Sequence, residues 1–198
     1  MWHEVVLRRE FFARLLAIDA EAAALTRGAG CRVCGGPLCV GHFERKPRGG
    51  LLAAAAEDAM FTQRFSYCCS REGCRKRATP PSVRFLGRKV YVEGAIVLGC
   101  VLASVLEDRA GAIRQATGIA ARTVRRWQAW WRTVFAASAL WVELRGRVPT
   151  LDATQLPGAM LPLFAGQSEE DQLVMAMRFV SPLTSATAMR SRSSRDAV

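Results

Sequence analysis

The sequence predicts a mainly α fold with a small β zinc ribbon set into it: an N-terminal helix, the ribbon, a three-helix helix-turn-helix unit and short C-terminal helices. Three observations predict it. Helical apolar spacing runs through residues 2–26, a stretch rich in Gly, Pro, Cys and basic residues interrupts it, and helical patterning resumes near residue 90. Divided at these changes of texture, the chain has an N-terminal helix at 1–30, a zinc-ribbon-like domain at 31–89 and a helix-turn-helix domain at 90–147. A C-terminal helical region at 148–182 and a disordered tail at 183–198 complete it.

In the N-terminal helix, Val5, Val6, Phe12, Leu15, Leu16 and Ile18 recur at near-helical spacing among Arg and Glu, and "RGAG" stops the run before Cys31. The stretch lacks an apolar signal-peptide core and carries Glu4 and Glu10, so it does not read as an export signal. The expected setting is the reducing cytoplasm. Seven cysteines, an odd number, then argue for metal ligands or buried thiols over a disulfide framework.

The ribbon segment offers short alternating runs, "PLCVGHF" and "FTQRFSY", that suit narrow strands. It has too few large apolar side chains to fold on a core alone. A metal supplies the missing staple, since structural zinc contributes about 10–16 kcal/mol of apparent binding free energy in such modules. Cys31 and Cys34 form a Cys-x-x-Cys pair followed by two glycines, the pattern of a turn whose amides face both thiolates. In "YCCSREGCRKR" the second pair is Cys69 and Cys74, with Gly73 at the turn. If "RFSYC" is a strand, Phe65, Tyr67 and Cys69 share one face and Cys68 points away, which favours Cys69 and leaves Cys68 as the alternate. Cys39 and His42 are a rival set near the first knuckle. Four thiolates would close a tetrahedral Zn2+ site with no open position for catalysis. The long gap between the pairs makes "LLAAAAEDAMF" an inserted helix or loop.

Residues 90–107 read as one strongly apolar helix, with Cys100 as a small core residue. Its run of about a dozen apolar residues after Glu93 falls short of the roughly 20 that a bilayer needs, so no membrane span is expected. Asp108 caps a second helix that ends at Gly118, and a third starts near Ala121 and passes Phe135. The layout of "RAGAIRQATGIAARTVRRWQAWW" is that of a helix-turn-helix: Gly118 takes the turn, while Ile113, Ile119, Val124 and Trp127 hold the helices together. Trp131 and Phe135 continue the apolar stripe. Arg122, Thr123, Arg125, Arg126 and Gln128 point elsewhere and are candidates for reading base edges, Arg being the usual reader of guanine. An ordinary helical hairpin with a solvated arginine face is the alternative. Arg114 stands where a small residue is expected, and the third helix has no Ser, Thr or Asp cap near Ala120.

Further on, prolines break "LPGAMLPLF", and Ser168 caps a helix that puts Leu173, Met177 and Val180 on one face. Asp152, Glu169, Glu170 and Asp171 read as surface or helix-start acids. The 198-residue chain carries 28 Lys+Arg against 17 Asp+Glu, a net charge of +11 and a pI of about 10.2, which points to a polyanionic partner. Arg75, Lys76 and Arg77, directly after Cys74, are candidates for phosphate contacts on the ribbon. With two histidines in the chain and all four metal positions filled by sulfur, a metalloenzyme is disfavoured.

The order of "YCC…GC", then "TPPSVRFLGRKVY", an apolar helix and "GIAARTVRRWQAWW" resembles the zinc-ribbon plus helix-turn-helix modules at the front of bacterial insertion-sequence transposases and their accessory proteins. The likeness covers roughly residues 31–135. It implies recognition of double-stranded DNA at an element's ends, with catalysis left to a separate RNase H-like domain. About 50 residues follow the third helix, too few for that domain. The expectation is therefore a non-enzymatic, zinc-dependent, sequence-specific DNA-binding protein of the bacterial nucleoid. Such a protein would serve as a helper or regulator of a mobile element, with a transposase or a second copy as partner. A zinc-ribbon adaptor docking on the transcription machinery is the rival reading.

Overall fold

In the computed structural model the described residues are 5, 8–44, 59–85, 120–164 and 168–185. They form a mostly helical assembly with two small antiparallel sheets and a cysteine cluster. The spine is helix α1, Arg9–Ala29. It is amphipathic, and Phe11, Phe12, Leu15, Asp19 and Ala23 make its buried stripe. It runs further than its apolar spacing suggests, ending at Gly30, whose amide donates to the Arg27 carbonyl.

Strands β1 (Leu38–Val40) and β2 (Phe43–Glu44) follow. A single helical turn, α2 (Ala59–Thr62), then leads into β3 (Gln63–Arg64), β4 (Tyr67–Cys69) and β5 (Arg77–Ala78). One sheet has the order β1-β4-β5 and the other pairs β2 with β3, all antiparallel. Leu38 pairs with Cys69, Cys39 with Cys68, and Val40 with Tyr67. This register buries Tyr67 and Cys69 together and turns Cys68 to the other face.

Helix α3, Ala121–Trp130, passes without interruption into a π-helical turn at Trp131–Phe135. Ser138 then caps α4, Ala139–Arg147, by accepting from the Trp141 amide. Short 3-10 turns at Ala153–Gln155 and Gly158–Leu163 cross the proline-broken stretch. In α5, Glu169–Val180, Ser168 accepts from the Asp171 amide, and Leu173, Met177 and Val180 are buried. The last described turn covers Ser181–Thr184. The main core gathers Phe11, Phe12 and Leu15 of α1, Trp131 and Phe135 of the π turn, Trp141 of α4, and the apolar face of α5. A second, smaller cluster under the ribbon holds Ala23, Cys31, Leu38, Phe65, Tyr67 and Cys69.

A buried polar clasp ties the two clusters together. Asp19 of α1 accepts from Ser82 Oγ at 2.6 Å, from the Val83 amide at 2.7 Å and from Arg84 Nε at 2.8 Å. Both charged side chains are at most 1% exposed. The Arg84 guanidinium spends its other donors on the carbonyls of Met60, Phe61 and Gln63. Every charge in this dry site is thus met by hydrogen bonds.

The 90–107 helix with Cys100, the Asp108 cap, Ile113, Arg114, the Gly118 turn, Ile119, the insert through residue 58 and the tail from 186 lie outside the described residues. So do the side chains of Thr123, Val124 and Trp127. Among the described residues no helix is long and apolar enough to cross a membrane.

Candidate metal centre

The first knuckle is delivered by the end of α1. After Gly30 the chain doubles back so that the Cys31 amide donates to the Gly36 carbonyl at 2.8 Å and the Gly35 amide to the Cys31 carbonyl at 2.7 Å. The second knuckle continues β4: the Cys69 amide donates to the Lys76 carbonyl at 2.9 Å and the Cys74 amide to the Arg71 carbonyl at 3.2 Å. Gly35 and Gly73 hold φ at 69° and 81°, the left-handed values such tight turns require. A crosslink between the loops comes from Ser70, whose amide donates to the Pro37 carbonyl at 3.0 Å. Arg71 adds another by donating from Nη1 to the Cys34 carbonyl at 3.1 Å.

This geometry brings Cys31, Cys34, Cys69 and Cys74 together, with all four sulfurs within 4.8 Å of one another. Cys31 and Cys74 are 3.7 Å apart, and Cys34 and Cys69 are 3.5 Å apart. A tetrahedron with metal–sulfur bonds of about 2.3 Å has edges of about 3.8 Å, so the donor set and its spacing fit a four-coordinate metal ion. The electrostatics agree with that use. Backbone N–H groups of Val33 and Cys34 aim at the Cys31 sulfur and lower its pKa to about 6, while burial pushes Cys69 up to about 12. Without a cation the interior sulfur keeps its proton; a bound cation would displace it and unite four thiolates around one charge.

The alternates are corrected by the pleat and by local bonding. Cys68 lies on the outer face of β4, where its Sγ donates to the Arg75 carbonyl at 3.3 Å. Cys39 is exposed. His42 Nδ1 sits against the Ser66 backbone, 3.1 Å from N and 2.9 Å from O, and its ring packs edge-on to Phe65 and Tyr67. None of the three joins the cluster.

Of the residues assigned to DNA contact, Arg122, Arg125 and Arg126 on α3 are exposed, and Gln128 is half-buried. On the ribbon, Arg75, Lys76 and Arg77 are exposed, with Arg77 lying over the Phe43 ring at 5.6 Å. Not every arginine of the ribbon segment is open to a surface contact. Arg64 and Arg84 are buried: Arg64 donates to the Pro80 carbonyl at 2.6 Å, and Arg84 is locked to Asp19. They are structural cations, removed from any surface contact. Sequence reasoning passed over Asp19, yet a signal was there, because an acid stands on the buried stripe between Leu15 and Ala23. Compared with known protein families, curated proteins and solved structures, the chain matches none of them.

Proposed function

We propose that the chain is a zinc-dependent, sequence-specific binder of double-stranded DNA, acting as an accessory or regulatory protein of the transposase type and not as an enzyme. In this reading zinc fills the four-cysteine centre, because an all-thiolate tetrahedral set suits zinc and leaves no open position for substrate. The observation that carries the reading is the placement of the arginines on α3. Trp131 and Phe135, 1% and 0% exposed, anchor the end of that helix in the core, while Arg122, Arg125 and Arg126 stand in solvent. A helix held this way presents its first turns to a major groove, and guanidinium groups are suited to guanine edges. The exposed Arg75, Lys76 and Arg77 would then meet phosphates and set the register. A second copy or a transposase would be the protein partner, in the bacterial cytoplasm.

Selection from a pool of random duplexes at two salt concentrations tests this. Enrichment of one motif is expected, with affinity falling steeply as salt rises. Arg126→Ala should weaken binding to that motif by about 1–3 kcal/mol and leave random-sequence binding almost unchanged. No enriched motif together with a shallow salt slope would refute the reading and favour a protein-docking ribbon.

A further inference from the structure

Two described cysteines stand outside the metal centre, and the register sets them face to face. Cys39 on β1 is directly opposite Cys68 on β4. The Ser70 amide donates to the Pro37 carbonyl, and the Gly41 amide to the Ser66 carbonyl. Cys39 and Cys68 lie midway between these bonded pairs, so the alternation of the ladder makes them a hydrogen-bonded pair with Cα atoms about 5.5 Å apart. A disulfide spans Cα separations of about 4.4–6.8 Å. Opposed residues project to one face. Here it is the outer face, since Leu38 and Cys69, the next rung, are buried.

Access matches the geometry. Cys39 is exposed and Cys68 half-buried, and the hydrogen bond from Cys68 Sγ to the Arg75 carbonyl is a weak thiol bond at the surface. A second metal cage is a poor fit for the pair: among the described residues, the four-cysteine centre is the one cluster of three or more potential ligands. Packing does not explain the pair either, because neither sulfur belongs to a core cluster among the described residues.

We infer that Cys39 and Cys68 form an oxidisable dithiol site, separate from the metal centre, which a hydroperoxide converts into a cross-strand disulfide. The Cys39 sulfur attacks the terminal peroxide oxygen and takes it as a sulfenic acid, while the O–O bond breaks and the alcohol or water leaves with the thiol proton. The Cys68 sulfur then attacks the Cys39 sulfur. Its own proton and the departing hydroxide form water, so two thiols and one peroxide yield a disulfide, one water and one alcohol or second water. Each sulfur gives up one electron, and the peroxide takes both.

The test treats the full-length protein, as purified, with equimolar hydrogen peroxide, then blocks free thiols, digests without reductant and maps peptides by mass spectrometry. Metal content is followed in parallel. The expected product is a Cys39–Cys68 linked peptide, lighter by two hydrogens, reversed by dithiothreitol and formed with metal retained. Cys68→Ser should stop the reaction at a sulfenic acid on Cys39, captured by dimedone, and Cys39→Ser, an exposed change that leaves the fold intact, should lose the link altogether. Cys39 and Cys68 recovered separately blocked after peroxide would overturn the inference. So would linkage among Cys31, Cys34, Cys69 and Cys74 with metal release preceding any Cys39–Cys68 link.

Discussion

Cys69→Ser removes one of the four clustered sulfurs, a candidate ligand, from the interior of the ribbon, whereas Cys68→Ser alters a sulfur on its outer face. Metal analysis of the purified variants should therefore find the first depleted and the second still loaded in proportion to protein. Gly36 is a finer probe of the same centre. A Cβ built there would lie 3.3 Å from Cys69 Sγ, 3.3 Å from Arg71 Cβ and 3.4 Å from Cys34 Sγ. Sulfurs held by a metal cannot yield, so Gly36→Ala should cost the loaded ribbon about 1–3 kcal/mol, seen as faster metal loss to a chelator. At this scale much was legible in the chain. Two short-range cysteine pairs and the period of a strand were enough to choose Cys69 over Cys68, because both signals are local. Arg84 was illegible for the opposite reason: it sits in a basic run, and its carboxylate partner is 65 residues away.

Among the elements, α1 matters most because it serves both clusters. Asp19→Asn would leave the buried Arg84 guanidinium without its counter-charge, and breaking such a pair typically costs about 3–5 kcal/mol. Denaturant unfolding should show a loss of that size. Arg14 of α1 also reaches the first turn of α5, donating to Asp171 at 2.6 Å and to Glu170 at 2.9 Å. Hydrogen bonds from Arg14 and then Ser168 hold the Asp171 carboxyl below its ordinary 3.8. A depressed carboxylate stabilises the fold above the unfolded value and ceases to do so as pH falls through the folded one. Asp171→Asn should therefore lower stability in the neutral region, where the ionised carboxylate acts, and leave it little changed well below about pH 4, so that the fall from neutral to acid becomes shallower, as acid titration by circular dichroism would record. The Ser168 cap and the apolar face of α5 were readable from sequence, since caps and helical spacing are short-range signals. By contrast, nothing in "WRTVF" announces the π turn. That segment lacks Gly and Pro, and within the turn Trp131 and Phe135 pack against each other at 4.8 Å between ring centroids.

For the whole molecule, the separation of the two clusters predicts a split response to metal removal. Among the described residues the main core contains no cysteine, whereas the smaller one contains Cys31 and Cys69. Hydrogen exchange after chelation should show early loss of protection across β1, β4 and β5, with amides of α5 still protected. Simultaneous loss in both regions would mean that the clasp at Asp19 makes one cooperative unit of them. The strong net positive charge acts at this scale too, through the salt dependence of any polyanion binding. Net charge was legible from composition, and a small sheet beside helices from the patterning; the joining of ribbon to helices was not, because the clasp is assembled from distant residues.

The last described turn also reaches back to the clasp. Thr184 Oγ1 accepts from the Ser82 amide at 2.8 Å, across 102 positions, right beside the clasp that Ser82 Oγ makes to Asp19. During synthesis, α1 and the ribbon emerge long before this partner exists, and contacts so far apart in sequence close late. A chain ending short of Thr184 would keep that amide unmet in a site with little water, leaving the stretch around Ser82 open to proteases. A chain cut before Thr184 should therefore be digested faster around Ser82 than the intact chain, as limited proteolysis would record.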